Sequence, residues 1–181
     1  MSYTNKQYVT SEFDLKNFIQ KSKKMLQTTR NGNLIIDIKE LALVNISSTK
    51  RENRIAIIVN ISNQMSNSSI SGKKPGHWCV LCIQNQQCLF IDSLNTVKSN
   101  FVIMKIITKF CQKNNLAFLD FNLKSQECNN MNCGYQVLYY LYKFCNSGIN
   151  DLLKIRRLFK YHSLRVVENL IMKWFRNKKK F

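Results

Sequence analysis

The sequence predicts an α+β fold in which a central β-sheet, mainly antiparallel or mixed, is flanked by helices. Three observations carry that expectation. The segment 54–61 (RIAIIVNI) is β-branched and almost wholly apolar, the pattern of a strand buried on both faces. Two short apolar runs, His77 to Ile83 and Cys88 to Asp92, are separated only by Gln84-Asn85-Gln86-Gln87 and read as a hairpin. Around them lie stretches with apolar residues at helical spacing, such as Phe101, Met104, Ile107 and Phe110.

The elements follow in chain order. Ser11-Glu12-Phe13-Asp14 is a capping box, in which the serine hydroxyl and the Asp14 carboxylate satisfy the first free N–H groups of a helix. Leu15, Phe18, Ile19 and Leu26 continue that helix, and Asn31-Gly32-Asn33 ends it. Leu34 to Ile38 is a short strand, and the buried strand at 54–61 comes next. Gln64 to Gly76 is rich in Ser and Asn and closes with Pro75-Gly76, so it is a loop. After the hairpin come the segment 93–100, the helix around Phe101 to Cys111, a strand at Leu116 to Phe121 and a polar loop at Lys124 to Asn132. Cys133 to Phe144 sets Val137, Leu138, Leu141 and Phe144 on one helical stripe, and two more helices are expected at Asp151–Lys160 and Ser163–Phe175. With one Pro, five Gly and 181 residues, no linker divides the chain and a single domain is expected over 1–181.

The charge balance is the most unusual bulk feature: 28 Lys and Arg stand against 10 Asp and Glu, a net charge of +18. A surface that is merely well solvated needs far less. Such an excess points to a polyanionic partner, most often nucleic acid, although a compositional bias toward Lys, Asn and Ile also produces it. No helix-turn-helix, zinc-finger or RNP signature is present, so sequence-specific reading is not expected. The opening MSYTNKQYVT is polar and no apolar run is long enough to cross a bilayer, so neither secretion nor a membrane partner is expected. The seven cysteines are then expected as free thiols in a reducing compartment.

Hydrolysis by cysteine needs a thiolate, a base for its proton, a group to orient that base, and donors for the developing oxyanion. Of only two histidines, His77 opens a strand directly after the Pro75-Gly76 turn. Asp92 ends the other strand of the hairpin, and in an antiparallel pair the start of one strand faces the end of the next. Its carboxylate can therefore reach the imidazole and set its tautomer. Cys133-Gly134 lies where a polar loop meets a helix N-terminus, whose dipole and free N–H groups favour a thiolate; Gly134 leaves room for a substrate backbone. Gln126, in the same loop, can offer its amide to the oxyanion beside the backbone N–H of Cys133. The remaining cysteines read as small hydrophobes, apart from Cys128 in the loop. Cys79-Val80-Leu81-Cys82 is no zinc knuckle, because on a strand its two thiols point to opposite faces; no metal site is expected.

Gly76-His77-Trp78, an Asp fifteen residues after the His, then Gln126 and Cys133-Gly134 opening a helix, together resemble the adenovirus protease family and the wider clan of ubiquitin-like-protein-specific proteases. The resemblance covers about residues 55–145 and implies His77 as base, Asp92 as orienting acid, Gln126 as oxyanion donor and Cys133 as nucleophile. Trp78 matches the Trp that follows the family's His, and with Gly134 is expected to meet substrate. Asp92 within Ile-Asp-Ser-Leu looks like the ubiquitin-like-protein branch, where adenoviral enzymes carry Glu. The seven-residue spacing from Gln126 to Cys133 looks adenoviral, and Asn132 stands where the other branch usually has Asp. The implied function is a thiol endopeptidase that cleaves capsid or core precursors during maturation of a small double-stranded DNA virus such as a virophage. It would act as a monomer, in the virion and inside the host cell.

The chemistry needs no cofactor, but the resemblance implies DNA as an activator. The basic C-terminal helices at 151–180 carry ten Lys and Arg, including Lys154, Arg156, Arg157, Lys160, Arg176, Lys178, Lys179 and Lys180, against Asp151 and Glu168. They are the expected non-sequence-specific DNA contacts. Rival readings are a protease acting on ubiquitin-like modifiers, an acyltransferase with the same His–acid–Cys order, and an inert basic nucleic-acid-binding virion protein.

Overall fold

The computed structural model describes residues 11–46, 54–61, 76–128 and 132–178. Helices α1 (Glu12–Gln20) and α2 (Lys23–Thr28) open the chain. The expected single N-terminal helix is in fact two, because Ser22 starts α2 by accepting the Met25 N–H on its side chain. The capping box at Ser11 is formed as expected, with both reciprocal bonds present. Strands β1 (Ile35–Asp37), β2 (Ile55–Ile61), β3 (His77–Gln84), β4 (Gln87–Ile91) and β5 (Ala117–Asp120) lie in sheet order β1-β2-β3-β4-β5. A 3-10 turn at Ile38–Leu43 follows β1, and α3 (Phe101–Lys113) joins β4 to β5. Then come α4 (Cys133–Ser147), α5 (Ile149–Phe159) and α6 (Leu164–Lys178). The polar loop expected at 64–76 lies outside the described residues except for Gly76.

The class is α+β, with a five-stranded mixed sheet between helices. The sheet is antiparallel in its centre, β2–β3 and β3–β4, and parallel at both edges, β1–β2 and β4–β5. "Mainly antiparallel" therefore describes only the middle three strands. The parallel edges follow from the connections, since a chain that leaves β4 and returns through α3 must come back in the same direction. The hairpin turn uses Asn85 (φ 51) and Gln86 (φ 62), the two left-handed residues that a type I′ turn requires.

Strand alternation splits the core into two layers. Ala56, Ile58, Trp78, Val80, Cys82, Leu89 and Ile91 face α1, α2, α4, α5 and α6. Ile57, Val59, Cys79, Leu81, Cys88 and Phe90 face α3 and the 3-10 turn. β2 is buried on both faces, as its apolar run predicts. α4 is the deepest helix: nine of its 15 residues are buried, Tyr140, Leu141 and Phe144 completely. At ~1.5–3 kcal/mol for each large apolar side chain removed from water, this burial fixes α4 firmly, and with it the position of Cys133. Among the described residues no helix is long and apolar enough to cross a membrane.

Candidate active site

The β3–β4 register explains how His77 meets Asp92. Val80 pairs with Ile91 and Leu81 with Phe90, so the same register carried one step further sets Cys79 opposite Asp92. His77 lies two residues back on the same face of β3, one diagonal step away, within reach of a long side chain. His77 Nε2 and Asp92 Oδ1 are 2.6 Å apart, with the two side chains 16% and 5% exposed. Gly76, just before β3, lies against the Asn60 amide, and a Cβ there would collide with that side chain.

Asp92 is held from every side. Oδ1 also accepts the Leu94 N–H at 2.9 Å, and Oδ2 accepts the Thr96 and Val97 N–H groups at 2.7 and 2.8 Å. The chain can wrap the carboxylate so tightly because Asn95 takes a left-handed conformation (φ 55). Burial works to raise the Asp92 carboxyl. The hydrogen bond and charge of His77, with the Val97 and Leu94 N–H groups, overcome it and hold the carboxyl below its ordinary 3.8. Burial likewise opposes protonation of His77, but the Cys79 sulfur and the hydrogen bonds to Asp92 and Cys133 carry the imidazole above its ordinary 6.5.

Cys133 is the first residue of α4. β4 pairs with β3 only as far back as Val80, and α4 packs against β3. Burial pushes the Cys133 thiol up. The hydrogen bond from His77, the N–H groups of Trp78 and Gly134, and the imidazolium charge together bring it below the ordinary 9.0. With Nε2 turned to Asp92, Nδ1 is the ring nitrogen left to act on another group. The imidazole is shifted up and the thiol down, the directions that sharing one proton between them requires. The Trp78 ring, only 5% exposed, packs in the core beside α4. Gly134 is buried in the first turn of α4.

Gln126 is buried, at 1% exposure, and tied to the acid's neighbour. Ser93 Oγ donates to its Oε1 at 2.7 Å, and the Ser93 carbonyl accepts the N–H groups of Ser125 and Gln126. The fixed Oε1 makes Nε2 the end of this side chain that can donate to an oxyanion. Ser125 is clamped in turn to α4: its Oγ donates to Gln136 Oε1 at 3.1 Å, and Gln136 Nε2 donates to its carbonyl at 2.9 Å. One network therefore runs from the acid through the Gln126 segment to the helix that carries Cys133. Ser93, Ser125 and Gln136 were not singled out from sequence. The signal for Gln136 was a polar residue inside an apolar helical stripe, one turn after Cys133.

In sequence Cys79 reads as a small hydrophobe, yet its sulfur joins the His77 and Asp92 ligand atoms in a group that spans at most 4.8 Å. His, Cys and Asp are metal-ligand types, but both Asp92 oxygens are already engaged, and burial pushes the Cys79 thiol up to about 11. As built, the cluster is a hydrogen-bonded one. Of the basic residues, Lys154, Arg157, Lys160 and Arg176 are exposed, Arg156 is half-buried and Lys154 pairs with Asp151 at 3.2 Å. Lys178 ends α6, and Lys179 and Lys180 lie outside the described residues. No protein-family model matches this chain, and no curated protein matches it in sequence.

Proposed function

We propose that this chain is a cysteine endopeptidase of the adenovirus-protease-like kind. The observation that carries the reading is the His77–Asp92 contact at 2.6 Å; the imidazole also lies close enough to Cys133, at the start of a buried helix, to help bring its thiol below the ordinary 9.0. His77 Nδ1 takes the thiol proton, and the Cys133 sulfur attacks the scissile carbonyl. The Gln126 amide and the Cys133 backbone N–H receive the oxyanion of the tetrahedral intermediate. As this collapses, His77 returns the proton to the leaving amine, and the C–N bond breaks to leave a thioester on Cys133. Water, deprotonated by the same imidazole, then hydrolyses the thioester and restores the thiol. Asp92 keeps the ring oriented throughout and balances its charge. The chemistry needs no metal or organic cofactor.

The substrates proposed are capsid or core precursor proteins of a small double-stranded DNA virus. The support is the order of the site residues along the chain together with a basic surface suited to a DNA-bound substrate pool. DNA is proposed as a non-sequence-specific partner of α5 and α6. The test is cleavage of a panel of precursor-derived peptides with wild type and Cys133→Ala, beside labelling by a thiol-directed activity probe. Cleavage and Cys133 labelling that both vanish in Cys133→Ala are expected, with the thermal midpoint little changed. Cleavage retained in Cys133→Ala would refute the assignment, and unlabelled wild-type Cys133 would favour an inert binding protein.

A further inference from the structure

Helix α3 gives one side to the core and turns the other to solvent. Ile103, Ile107, Phe110 and Cys111 are its buried residues. On the outer side Phe101 is 77% exposed and Val102 47%. Exposed apolar residues scattered singly are ordinary, so exposure alone says nothing. This face is different because it is shaped. Phe101, Met104, Lys105, Thr108, Lys109 and Gln112 line one cavity of about 380 Å³ whose walls are mostly apolar. That volume lies near the lower end of the ~300–1,000 Å³ range of ligand sites, enough for one or two side chains.

The rim of the cavity is basic. From Ser93 to Leu119 the chain has four lysines and no carboxylate. Lys98 and Lys113 are engaged, donating to Asn122 Oδ1 at 2.6 Å and to the Ala42 carbonyl at 3.0 Å. Lys16 and Lys154, on other helices, each face a carboxylate of their own helix. Lys105 and Lys109 are exposed and make no hydrogen bond or ion pair with any described residue. Their four-residue spacing sets them on one side of α3, where the aliphatic stems wall the cavity and the ammonium groups reach water.

A net charge of +18 spreads cations over much of the surface, so the lysines alone would not single out this place. The apolar cavity between them does. A phosphate backbone would satisfy the two lysines and leave the apolar walls uncovered. A peptide can meet both features, with an apolar side chain for the cavity and flanking carboxylates for the lysines. We propose that the outer face of α3 is a docking site for an acidic peptide segment of a partner protein, anchored by one large apolar side chain in the cavity beside Phe101. α3 packs on the opposite face of the sheet from α4, so the proposal is independent of the Cys133 chemistry.

The probe is a set of fluorescein-labelled peptides of Asp, Glu and Ser whose central residue is Ser, Leu, Met, Phe, Tyr or Trp. Each is titrated with the full chain and read by anisotropy. Saturable binding is expected for at least one apolar-centred peptide, with the Ser-centred one weaker by about tenfold or more, the scale of losing a buried anchor. Phe101→Ser and, separately, Lys105→Glu/Lys109→Glu should each weaken the best peptide by about tenfold or more. Arg157→Ala/Lys160→Ala on α5 should change it by less than about twofold, because rim and remote charges contribute little. These side chains are exposed, so the thermal midpoint should hold. Should Phe101→Ser fail to fold, Thr108→Trp fills the cavity from its own helix and should block the anchor. The proposal is overturned if no apolar-centred peptide binds saturably, or if the Ser-centred peptide binds as tightly, which would leave bulk charge alone. Loss of affinity in the α5 variant but not in Phe101→Ser or Thr108→Trp also overturns it. Single-stranded DNA that binds more tightly than every peptide and depends on Phe101 would give the face to nucleic acid, again overturning it. Peptide cleavage should be unchanged in the α3 variants, so the endopeptidase reading is judged separately.

Discussion

Replacing Asp92 by Asn leaves the shape of the site almost unchanged and alters which atoms can accept. Oδ2 receives two backbone N–H groups, from Thr96 and Val97, whereas Oδ1 receives one, from Leu94, together with His77. The single amide oxygen of Asn should therefore stay with Thr96 and Val97, and its NH2 should turn toward Leu94 and His77. A donor now faces Nε2, so the imidazole moves its proton to Nδ1. That is the nitrogen that must accept the Cys133 proton, and the base is lost. A wrong tautomer in intact geometry costs on the order of 10⁴ in kcat. The partly buried Leu94 N–H loses a charged acceptor, a destabilisation of at most roughly 1.5–3 kcal/mol. The assays are single-turnover peptide cleavage, a denaturant titration, and nitrogen NMR of the labelled histidine, which reports the tautomer. A kcat within tenfold of wild type, or a His77 that still carries its proton on Nε2, would refute the reasoning.

Three further outcomes are expected. Gln126→Ala should lower kcat by about 10²–10³ with little change in KM, as for loss of one oxyanion donor, and Gln126→Glu should be worse; unchanged kcat in both would assign the donor elsewhere. Because the folded Asp92 carboxyl lies below its unfolded value of 3.8, it binds protons less tightly in the folded state. Its stabilising contribution is full above about pH 4 and is lost as pH falls through the folded value, so Asp92→Asn should flatten that part of an acid melt. Binding of duplex DNA should weaken linearly in a log–log plot against salt, by about 0.9 per phosphate contacted, and should hardly depend on base sequence. Exchanging Arg157, Lys160 and Arg176 for Ala should flatten that slope, and salt-insensitive binding would return the +18 charge to compositional bias.

Much of the architecture is legible in the chain because the informative residues are long apolar runs. β2 and the β3–β4 hairpin follow from alternation and turn chemistry, and the amphipathic stripes mark α3 and α4. The parallel edges are not legible in the same way. β1 has three residues, too few to carry a direction, and β5 is set by the return through α3 rather than by its own side chains. The division of α1 from α2 was hidden because no Gly or Pro marks it; a serine within a polar stretch makes the break.

His77, Asp92 and Cys133 stood out because each sits at the end of an element, where a polar side chain is not needed for packing. Their supports stood out less, since their partners lie far off in sequence: Gln136 meets Ser125, and Glu168 meets Asn132 across 36 residues. Cys79 is legible only through the register that sets it against Asp92. The structure also joins what the sequence presents as separate. The Asp92 side chain orients His77, while the next residue, Ser93, holds both backbone N–H groups of 125–126 and the Gln126 carbonyl oxygen. His77 and Gln126 are therefore positioned by two adjacent residues on one turn. Any change that shifts this turn moves both together, and substitutions at Asp92 and Gln126 should not act independently, because residues that share a hydrogen-bond network rarely do.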